Sequence, residues 1–261
     1  MKLQVLISTM HQSDHSLLEK MNIQTDAIVV NQCNKNHIEE FEYNGHHIKW
    51  ISLNERGVGL SRNTALMRAD ADILLFADDD VVYADGYEQR VLNAFLHHNH
   101  SSLVVFNLLS LNKARPEFID KKTHALNIFN CLKYGACRIA VRREDIYKAN
   151  VFFSLLFGGG ARFQAGEDNL FITNCLQKGL TATASSVFIG TVKQESSTWF
   201  NGYDKTYYMD RGALFAAMYG KLAKPYLLLL ELKNIKRKSE HSFRQRCFFG
   251  YEGIKNFNKL K

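Results

Sequence analysis

The feature of this sequence that most constrains its fold is a series of short β-rich runs that are largely apolar instead of alternating with polar residues. A strand of this kind is buried on both faces, as in a parallel sheet covered by helices. Helix-like stretches separate the runs, and this alternation predicts an α/β domain with right-handed crossovers. The runs are Val5–Thr9, Ala27–Asn31, Ile48–Leu53, Ile73–Ala77 and Leu103–Leu109, and the helix-like stretches are Ser13–Lys20, Gly59–Ala69 and Gly86–His98.

The second half of the chain has a less regular pattern. It predicts strands at Ala136–Arg143 and Thr181–Gly190, and a helix from Asp168 to Lys178 that Gly179 ends. From Ser197 onward the sequence is helical in character and rich in aromatic residues. We therefore expect a nucleotide-binding and catalytic domain over residues 1–200 and a helical, basic segment over residues 201–261.

Cysteine usage and hydropathy indicate the compartment. The five cysteines are scattered and odd in number, which favours reduced, mostly buried thiols: Cys33, Cys131, Cys137, Cys175 and Cys247. No run reaches the roughly 18 apolar residues that a membrane span needs. The first residues lead directly into a strand-like segment, so no signal peptide is expected. These features predict a cytoplasmic protein.

The net charge of +7 is concentrated in the last part of the chain. Residues 221–261 hold 11 Lys and Arg against 3 Asp and Glu, and the remainder is close to neutral. Leucines 227–230 and 232 lie among these basic residues, a combination that favours contact with an anionic membrane surface. The alternative is that the leucines pack in the core. Nucleic acid is not expected as a partner, because no recognition motif accompanies the charge.

Three adjacent carboxylates, Asp78-Asp79-Asp80, follow the buried run Ile73–Ala77. In open α/β sheets the ligand site forms at the carboxyl ends of the strands. Neighbouring carboxylates repel one another, and Mg²⁺ or Mn²⁺ would relieve this repulsion while keeping a nucleotide phosphate as a further ligand. An acidic turn that caps a helix is the structural alternative.

Two glycine-containing segments are the other candidates for ligand contact. Gly57 and Gly59 open a helix whose N-terminus favours anions, and Arg62 adds a permanent positive charge in its first turns. Further along, the run Gly158-Gly159-Gly160 suggests close approach of the backbone to a ligand. It precedes Glu167 and Asp168, which begin a helix and are candidates for a general base. Stabilisation of the helix dipole is the alternative for these two carboxylates.

These motifs, in this order, resemble those of a family-2 glycosyltransferase with the GT-A fold over roughly residues 3–200. The matching features are the first strand ending in Ser8-Thr9, the Gly57-x-x-x-Ser61-Arg62-Asn63 stretch, the Asp triplet and the Gly166-Glu167-Asp168 sequence. The resemblance implies that Asp78 and Asp80 hold Mn²⁺ or Mg²⁺ and that Asp168, supported by Glu167, is the catalytic base. It also implies the following donor-binding residues: Ser8, Thr9, Gln32, Gly57, Arg62, Asn63, Asp78, Asp79, Gly159 and Gly160.

The function expected from this resemblance is metal-dependent, inverting transfer of a sugar from a nucleotide-diphosphate donor, with UDP as the expected nucleotide. The second strand ends in Asn31-Gln32, so one of these residues would read the base. The expected acceptor is a lipid-linked or growing surface glycan at the inner face of the cell membrane. Two alternatives are a non-catalytic sugar-nucleotide or glycan-binding module and a sugar-nucleotide pyrophosphorylase. The latter would need a Gly-rich phosphate loop after the first strand, and Ser8–Asp14 contains none.

Overall fold

One mixed β-sheet runs through the protein in the computed structural model, which describes residues 1–194, 202–236 and 239–260. The strands are β1 (Leu3–Met10), β2 (Asp26–Gln32), β3 (His37–Tyr43), β4 (His46–Leu53), β5 (Ile73–Asp78), β6 (Val81–Tyr83), β7 (Leu103–Ser110), β8 (His124–Ala125), β9 (Ile139–Arg142) and β10 (Ala182–Val192). The helices are α1 (Leu17–Lys20), α2 (Val58–Leu66), α3 (Tyr87–His97), α4 (Arg143–Ala149), α5 (Glu167–Gln177), α6 (Lys205–Tyr219), α7 (Ala223–Lys233) and α8 (Phe243–Asn258).

The strand order is β3-β4-β2-β1-β5-β9-β7-β10-β6, with β8 paired to β10. Strands β4, β2, β1 and β5 are parallel, whereas β9 runs antiparallel to both of its neighbours, β5 and β7. The chain moves from β1 outward to β2 and later returns to β5 on the other side of β1. A reversal of this kind opens a crevice at the carboxyl ends of the strands. The predicted α/β class is confirmed, and the central sheet is mixed.

The apolar runs form strands because both of their faces are buried. Leu6, Ile28 and Phe76 belong to one hydrophobic cluster, while Ile7 and Val29 belong to a second. Successive residues of a strand point to opposite faces of the sheet, so the two clusters lie on its two sides. A strand buried on both sides has no position for an alternating polar residue.

Several elements differ from the sequence prediction, including the unpredicted β6, β8 and α4. Only Leu17–Lys20 of the stretch Ser13–Lys20 is helical. Strand β3 was not predicted, because its partly exposed, polar-rich sequence contains no apolar run. The segment predicted as a strand at Ala136–Arg143 begins with a 3-10 turn at Ala136–Arg138, and only Ile139–Arg142 is extended.

The C-terminal helices share a core with the sheet domain. Leu214 and Phe215 of α6 lie in the same hydrophobic cluster as Leu170 and Phe171 of α5. The contact between α6 and α8 is close, since a Cβ on Gly212 would lie 2.0 Å from the carbonyl oxygen of Gly250. The predicted boundary after residue 200 falls within residues 195–201, outside the described part of the chain.

Within the described residues, the stretch Lys205–Lys233 is long and apolar enough to cross a membrane by length and composition alone. In the structure it is divided by a 3-10 turn at Gly220–Leu222 into α6 and α7. Helix α6 is the more buried of the two, as expected for a helix of the protein core. Packing against the core therefore accounts for the apolar side chains of α6, whereas several leucines of α7 are exposed.

Candidate active site

The carboxyl ends of β1, β2 and β5 bring four of the predicted donor-binding residues together. Ser8 lies opposite Asp78 in the parallel register of β1 and β5, and its Oγ accepts a hydrogen bond from Ser61 Oγ at 3.0 Å. At the end of β2, Gln32 Oε1 accepts the Gly57 N–H at 2.7 Å. This bond ties the end of the strand to the N-terminus of α2. The crevice predicted from strand order is therefore lined by the polar residues that follow the apolar runs.

Arg62 is the central residue of the site. Its side chain is buried, with Nη2 2.7 Å from Asp78 Oδ1 and Nη1 2.7 Å from Glu167 Oε1. The two carboxylates hold the pKa of the guanidinium above its usual value against the opposing effect of burial. Helix α2 thus supplies one cation that joins the end of β5 to the start of α5. The predicted contact of Arg62 with a diphosphate stays a prediction, since both terminal nitrogens bind carboxylates.

The side-chain amide of Asn63 anchors a distant loop. Its Nδ2 donates to the carbonyl oxygen of Phe153 at 2.9 Å, and its Oδ1 accepts the Phe153 N–H at 2.8 Å. Both polar atoms are buried in this pairing. Asn63 therefore holds the loop that leads to the glycine run, and its predicted donor contact stays a prediction.

The Gly158–Gly160 run makes its close approaches to the protein itself. The carbonyl oxygen of Gly159 accepts the Val58 N–H at 3.0 Å, and a Cβ on Gly160 would lie 3.2 Å from Gly57 Cα. Gly158 has a φ of +104°, and a Cβ there would lie 2.8 Å from the Glu167 carboxylate. The glycines are thus needed to seat the loop between α2 and Glu167. A contact of Gly159 or Gly160 with the donor stays a prediction.

The three carboxylates of the Asp triplet have different partners. Asp78 forms the ion pair with Arg62, whereas Asp79 and Asp80 accept hydrogen bonds. Thr9 Oγ1 donates to Asp79 Oδ2 at 2.5 Å, and the Gln194 N–H donates weakly to Asp80 Oδ2 at 3.3 Å. Within the described residues, neither Asp79 nor Asp80 has an ion-pair partner. Burial, together with the charges of Asp78 and Asp79, raises the pKa of Asp80 to about 6.

This donor set fits a divalent cation that completes its coordination from a bound diphosphate. Mg²⁺ and Mn²⁺ prefer carboxylate oxygens, and the Asp80 carboxylate lacks a compensating positive charge. In the described part of the chain, no group of three His, Cys, Asp or Glu side chains is arranged to hold a metal by itself. The assignment of Asp78 and Asp80 as metal ligands stays a prediction, and Asp78 is also the ion-pair partner of Arg62.

Glu167 and Asp168 differ sharply in their surroundings. Glu167 is buried beneath Gly158 and paired with Arg62, so its charge is compensated. Asp168 is only half-buried and faces a cavity, with Oδ1 accepting the Asn169 N–H at 2.7 Å. Desolvation, followed by the charge of Glu167, raises the pKa of Asp168 to about 7. A carboxylate with this exposure and pKa is suited to accept a proton near neutral pH.

Sequence reasoning missed two contributors to the site. Gln194, in the left-handed conformation with a φ of +50°, reaches Asp80 through its N–H and Glu117 through its side chain. Helix α6 supplies Asp210, which accepts the Gln164 N–H at 2.9 Å close to Asp168. The sequence gives no signal for either, because each acts across a long separation in the chain and belongs to no local motif. Glu195, next to Gln194, lies outside the described residues.

Residues 8–145, more than half of the chain, match the profile described as glycosyl transferase family 2. The chain belongs to glycosyl transferase family 2. It is therefore a glycosyltransferase, and the resemblance stated from the motifs is confirmed. A search of curated proteins gives no significant match.

Solved structures support the fold of this family-2 glycosyltransferase. The crystal structure of S. aureus TarS has a TM-score of 0.62 at 15% identity, and the match covers 92% of this chain and 44% of that chain. S. aureus TarS 1-349 in complex with UDP-GlcNAc has a TM-score of 0.61 at 14% identity, covering 100% of this chain and 93% of that chain. The same fragment in complex with UDP gives 0.62, at 14% identity and with coverages of 100% and 92%. At these identities the likeness establishes the GT-A fold alone.

Proposed function

We propose that this glycosyltransferase moves a sugar from a UDP-linked donor to an acceptor hydroxyl with inversion at the anomeric carbon, and that it depends on Mn²⁺ or Mg²⁺. The observation that carries the proposal is the double ion pair of Arg62. It places the predicted metal motif and the predicted base motif on two sides of one guanidinium. A donor held at the strand ends and an acceptor at the start of α5 would then meet at this residue. The UDP-GlcNAc and UDP bound to TarS 1-349 support the choice of nucleotide.

The side chains have separate roles in this proposal. A cation held by Asp78 and Asp80 would neutralise charge on the leaving diphosphate. Asp168 takes the proton of the acceptor hydroxyl, and Arg62 with Glu167 fixes the start of α5 relative to the metal motif. Asn31 or Gln32 reads the nucleobase from the end of β2. Both side chains also have partners in the protein. The Asn31 amide donates to the carbonyl oxygen of Gln12 at 3.0 Å, and Gln32 Oε1 accepts the Gly57 N–H.

A metal-linked nucleotide site makes a measurable prediction about stability. UDP and Mn²⁺ together should raise the melting temperature by more than the sum of their separate effects, since ligand at a hundredfold excess over Kd contributes about 2.7 kcal/mol. Asp80→Ala should remove this synergy, while Asp70→Ala, at an exposed aspartate away from the site, should keep it. Unchanged synergy in Asp80→Ala would refute the metal assignment. A stronger effect of another nucleotide would refute UDP.

The alternatives to transfer give different results in the same system. A non-catalytic sugar-nucleotide-binding module would show the UDP and Mn²⁺ stabilisation but would release no UDP from a nucleotide sugar with any acceptor. A pyrophosphorylase would form nucleotide sugar and pyrophosphate from a nucleoside triphosphate and a sugar phosphate. The family match favours transfer over both.

We also propose that the acceptor is lipid-linked. The C-terminal helices would then bind the anionic inner face of the cell membrane. The leucine cluster of α7 divides between core and surface. Leu227 is buried, whereas Leu228, Leu229 and Leu232 are exposed. The only acidic residue of α7, Glu231, is buried and paired with Arg246 of α8. The exposed face therefore combines apolar and basic groups, which together favour interfacial binding.

Co-sedimentation with vesicles tests this surface. Binding should require anionic lipid and should weaken as salt screens the exposed charges. The double variant Leu229→Ser, Leu232→Ser and the charge reversal Lys233→Glu, Lys236→Glu should each release the protein, while Lys35→Glu should not. Equal binding to neutral vesicles, or none to either kind, would refute the membrane proposal. Arg237 and Lys238, which complete the basic run, lie outside the described residues.

A further inference from the structure

A cavity of about 350 Å³ lies beside Asp168, between the start of α5 and helix α6. This volume is within the usual range of small-molecule sites. Within the described residues, none of the predicted donor-binding side chains lines it. Glu167 and Asp168 line it, and Arg62 lies behind Glu167. The cavity is therefore on the acceptor side of the proposed base.

Helix α6 forms the outer wall of this cavity, and its position is fixed. Asp210 Oδ2 accepts the Gln164 N–H at 2.9 Å. Gly166, with a φ of +108°, packs so closely on α6 that a Cβ would lie 2.7 Å from the Leu214 side chain. Helix α8 holds α6 from its other side through Gly212. A wall fixed on two sides is preorganised to recognise a ligand.

The chemistry of the lining is mixed and acidic on balance. Asp168, Asp204 and Asp210 contribute carboxylates, and Arg211 contributes a cation. Arg211 Nη1 donates to the Tyr207 hydroxyl at 2.6 Å, and its guanidinium lies 5.6 Å from the centroid of the Phe215 ring. In the described part of the chain, no carboxylate forms an ion pair with Arg211. Leu214 and Phe215 add apolar surface.

We infer that this cavity is the acceptor subsite and that it takes an uncharged glycosyl residue, with Asp210 and Arg211 as specificity-determining residues. The inference rests on the proposed function, because the molecule in this cavity is the one whose hydroxyl reaches Asp168. Sugar hydroxyls donate to carboxylates and accept from a guanidinium, and the apolar side chains cover the C–H groups of the ring. A phosphate or uronate would face carboxylates of like charge, which opposes its binding.

The test measures acceptor binding separately from donor binding. Saturation-transfer NMR with neutral benzyl glycosides should detect binding to the wild-type protein, and the matching glucuronides and sugar phosphates should bind at least about tenfold more weakly. Arg211→Gln should weaken binding of the neutral glycoside about tenfold, the scale of one hydrogen bond to a charged group. The exposed Arg162→Gln is the matched control and should change nothing.

Removing carboxylate charge tests the specificity directly. Asp204 caps α6 by accepting the Tyr207 N–H, and asparagine caps as well as aspartate, so Asp204→Asn keeps the helix start. The double variant Asp204→Asn, Asp210→Asn should narrow the preference for neutral over anionic glycosides, with the stabilisation by UDP and Mn²⁺ unchanged. Tighter binding of anionic glycosides to wild type, or no binding of neutral ones, overturns the inference. If UDP and Mn²⁺ do not stabilise the wild-type protein, that result would instead count against the proposed function.

Discussion

Replacement of Arg62 by methionine removes the cation that joins Asp78 to Glu167. Methionine keeps much of the volume of the side chain but leaves Asp78 and Glu167 without a positive partner. Breaking a buried ion pair by removing one partner costs about 3–5 kcal/mol, because the remaining charge stays buried. The Asp78 side chain is 36% exposed and Glu167 only 8%, so Glu167 should account for most of the loss.

For a chain of this size we expect the melting temperature to fall by about 6–20 °C, at about 2–4 °C per kcal/mol. Neutralising one carboxylate should recover part of the loss. Arg62→Met should therefore cost less in a Glu167→Gln background, with a coupling energy of about 0.5–3 kcal/mol.

The assay is urea unfolding of the four proteins of this cycle. Arg246→Met is a matched control, since Arg246 pairs with the buried Glu231 away from the site. It should destabilise the protein comparably but leave the UDP and Mn²⁺ stabilisation intact, whereas Arg62→Met should weaken that stabilisation. Additive effects of Arg62→Met and Glu167→Gln, or the same nucleotide response in both arginine variants, would refute the bridging role of Arg62.

Two further predictions concern the base and the glycine loop. If Asp168 is the base, kcat should rise as the pH increases through about 7, because the Asp168 carboxyl loses its proton in this range. Asp168→Asn should lower kcat by about 10²–10⁴-fold. The raised pKa also means that protonation of Asp168 stabilises the folded state. The free energy of unfolding of wild type should therefore fall between about pH 4 and 7, and that of Asp168→Asn should not show this fall. Gly158→Ala should cost about 1–3 kcal/mol by overpacking Val58 and Glu167, as urea unfolding can measure. Gly45→Ala, with a φ of +80° and no neighbour within 4 Å, isolates the backbone strain, and an equal cost in both variants would contradict the packing argument.

Much of the fold could be predicted from the sequence because burial on both faces leaves a clear apolar pattern. That pattern located β1, β2, β4, β5 and β7 to within a few residues and pointed to the strand ends where the site lies. The edge strand β3 was not predicted because its side chains are exposed or only partly buried on both faces of the sheet. Its pattern then resembles that of a surface loop.

The sequence supplied candidate residues for the site, but it did not predict their contacts with one another. Arg62 was expected to face a phosphate, yet its partner Glu167 is 105 residues away in the chain, and no local pattern encodes that pairing. The glycine run was attributed to a ligand because glycine permits any close approach, and only the fold shows that α2 and Glu167 are the neighbours. The difference between Glu167 and Asp168 likewise comes from burial, which adjacent residues in a sequence do not reveal.

The measurement that tests the central claim most directly is the anomeric configuration of the product, together with the release of UDP. The protein is incubated with UDP-sugars, Mn²⁺ and neutral benzyl glycosides, UDP release is followed, and the product linkage is assigned by NMR. We predict UDP release that requires both metal and acceptor, a product whose anomeric configuration is opposite to that of the donor, and loss of both in Asp168→Asn. Retained configuration would contradict the proposed mechanism, and the absence of UDP release from every UDP-sugar would contradict the proposed function.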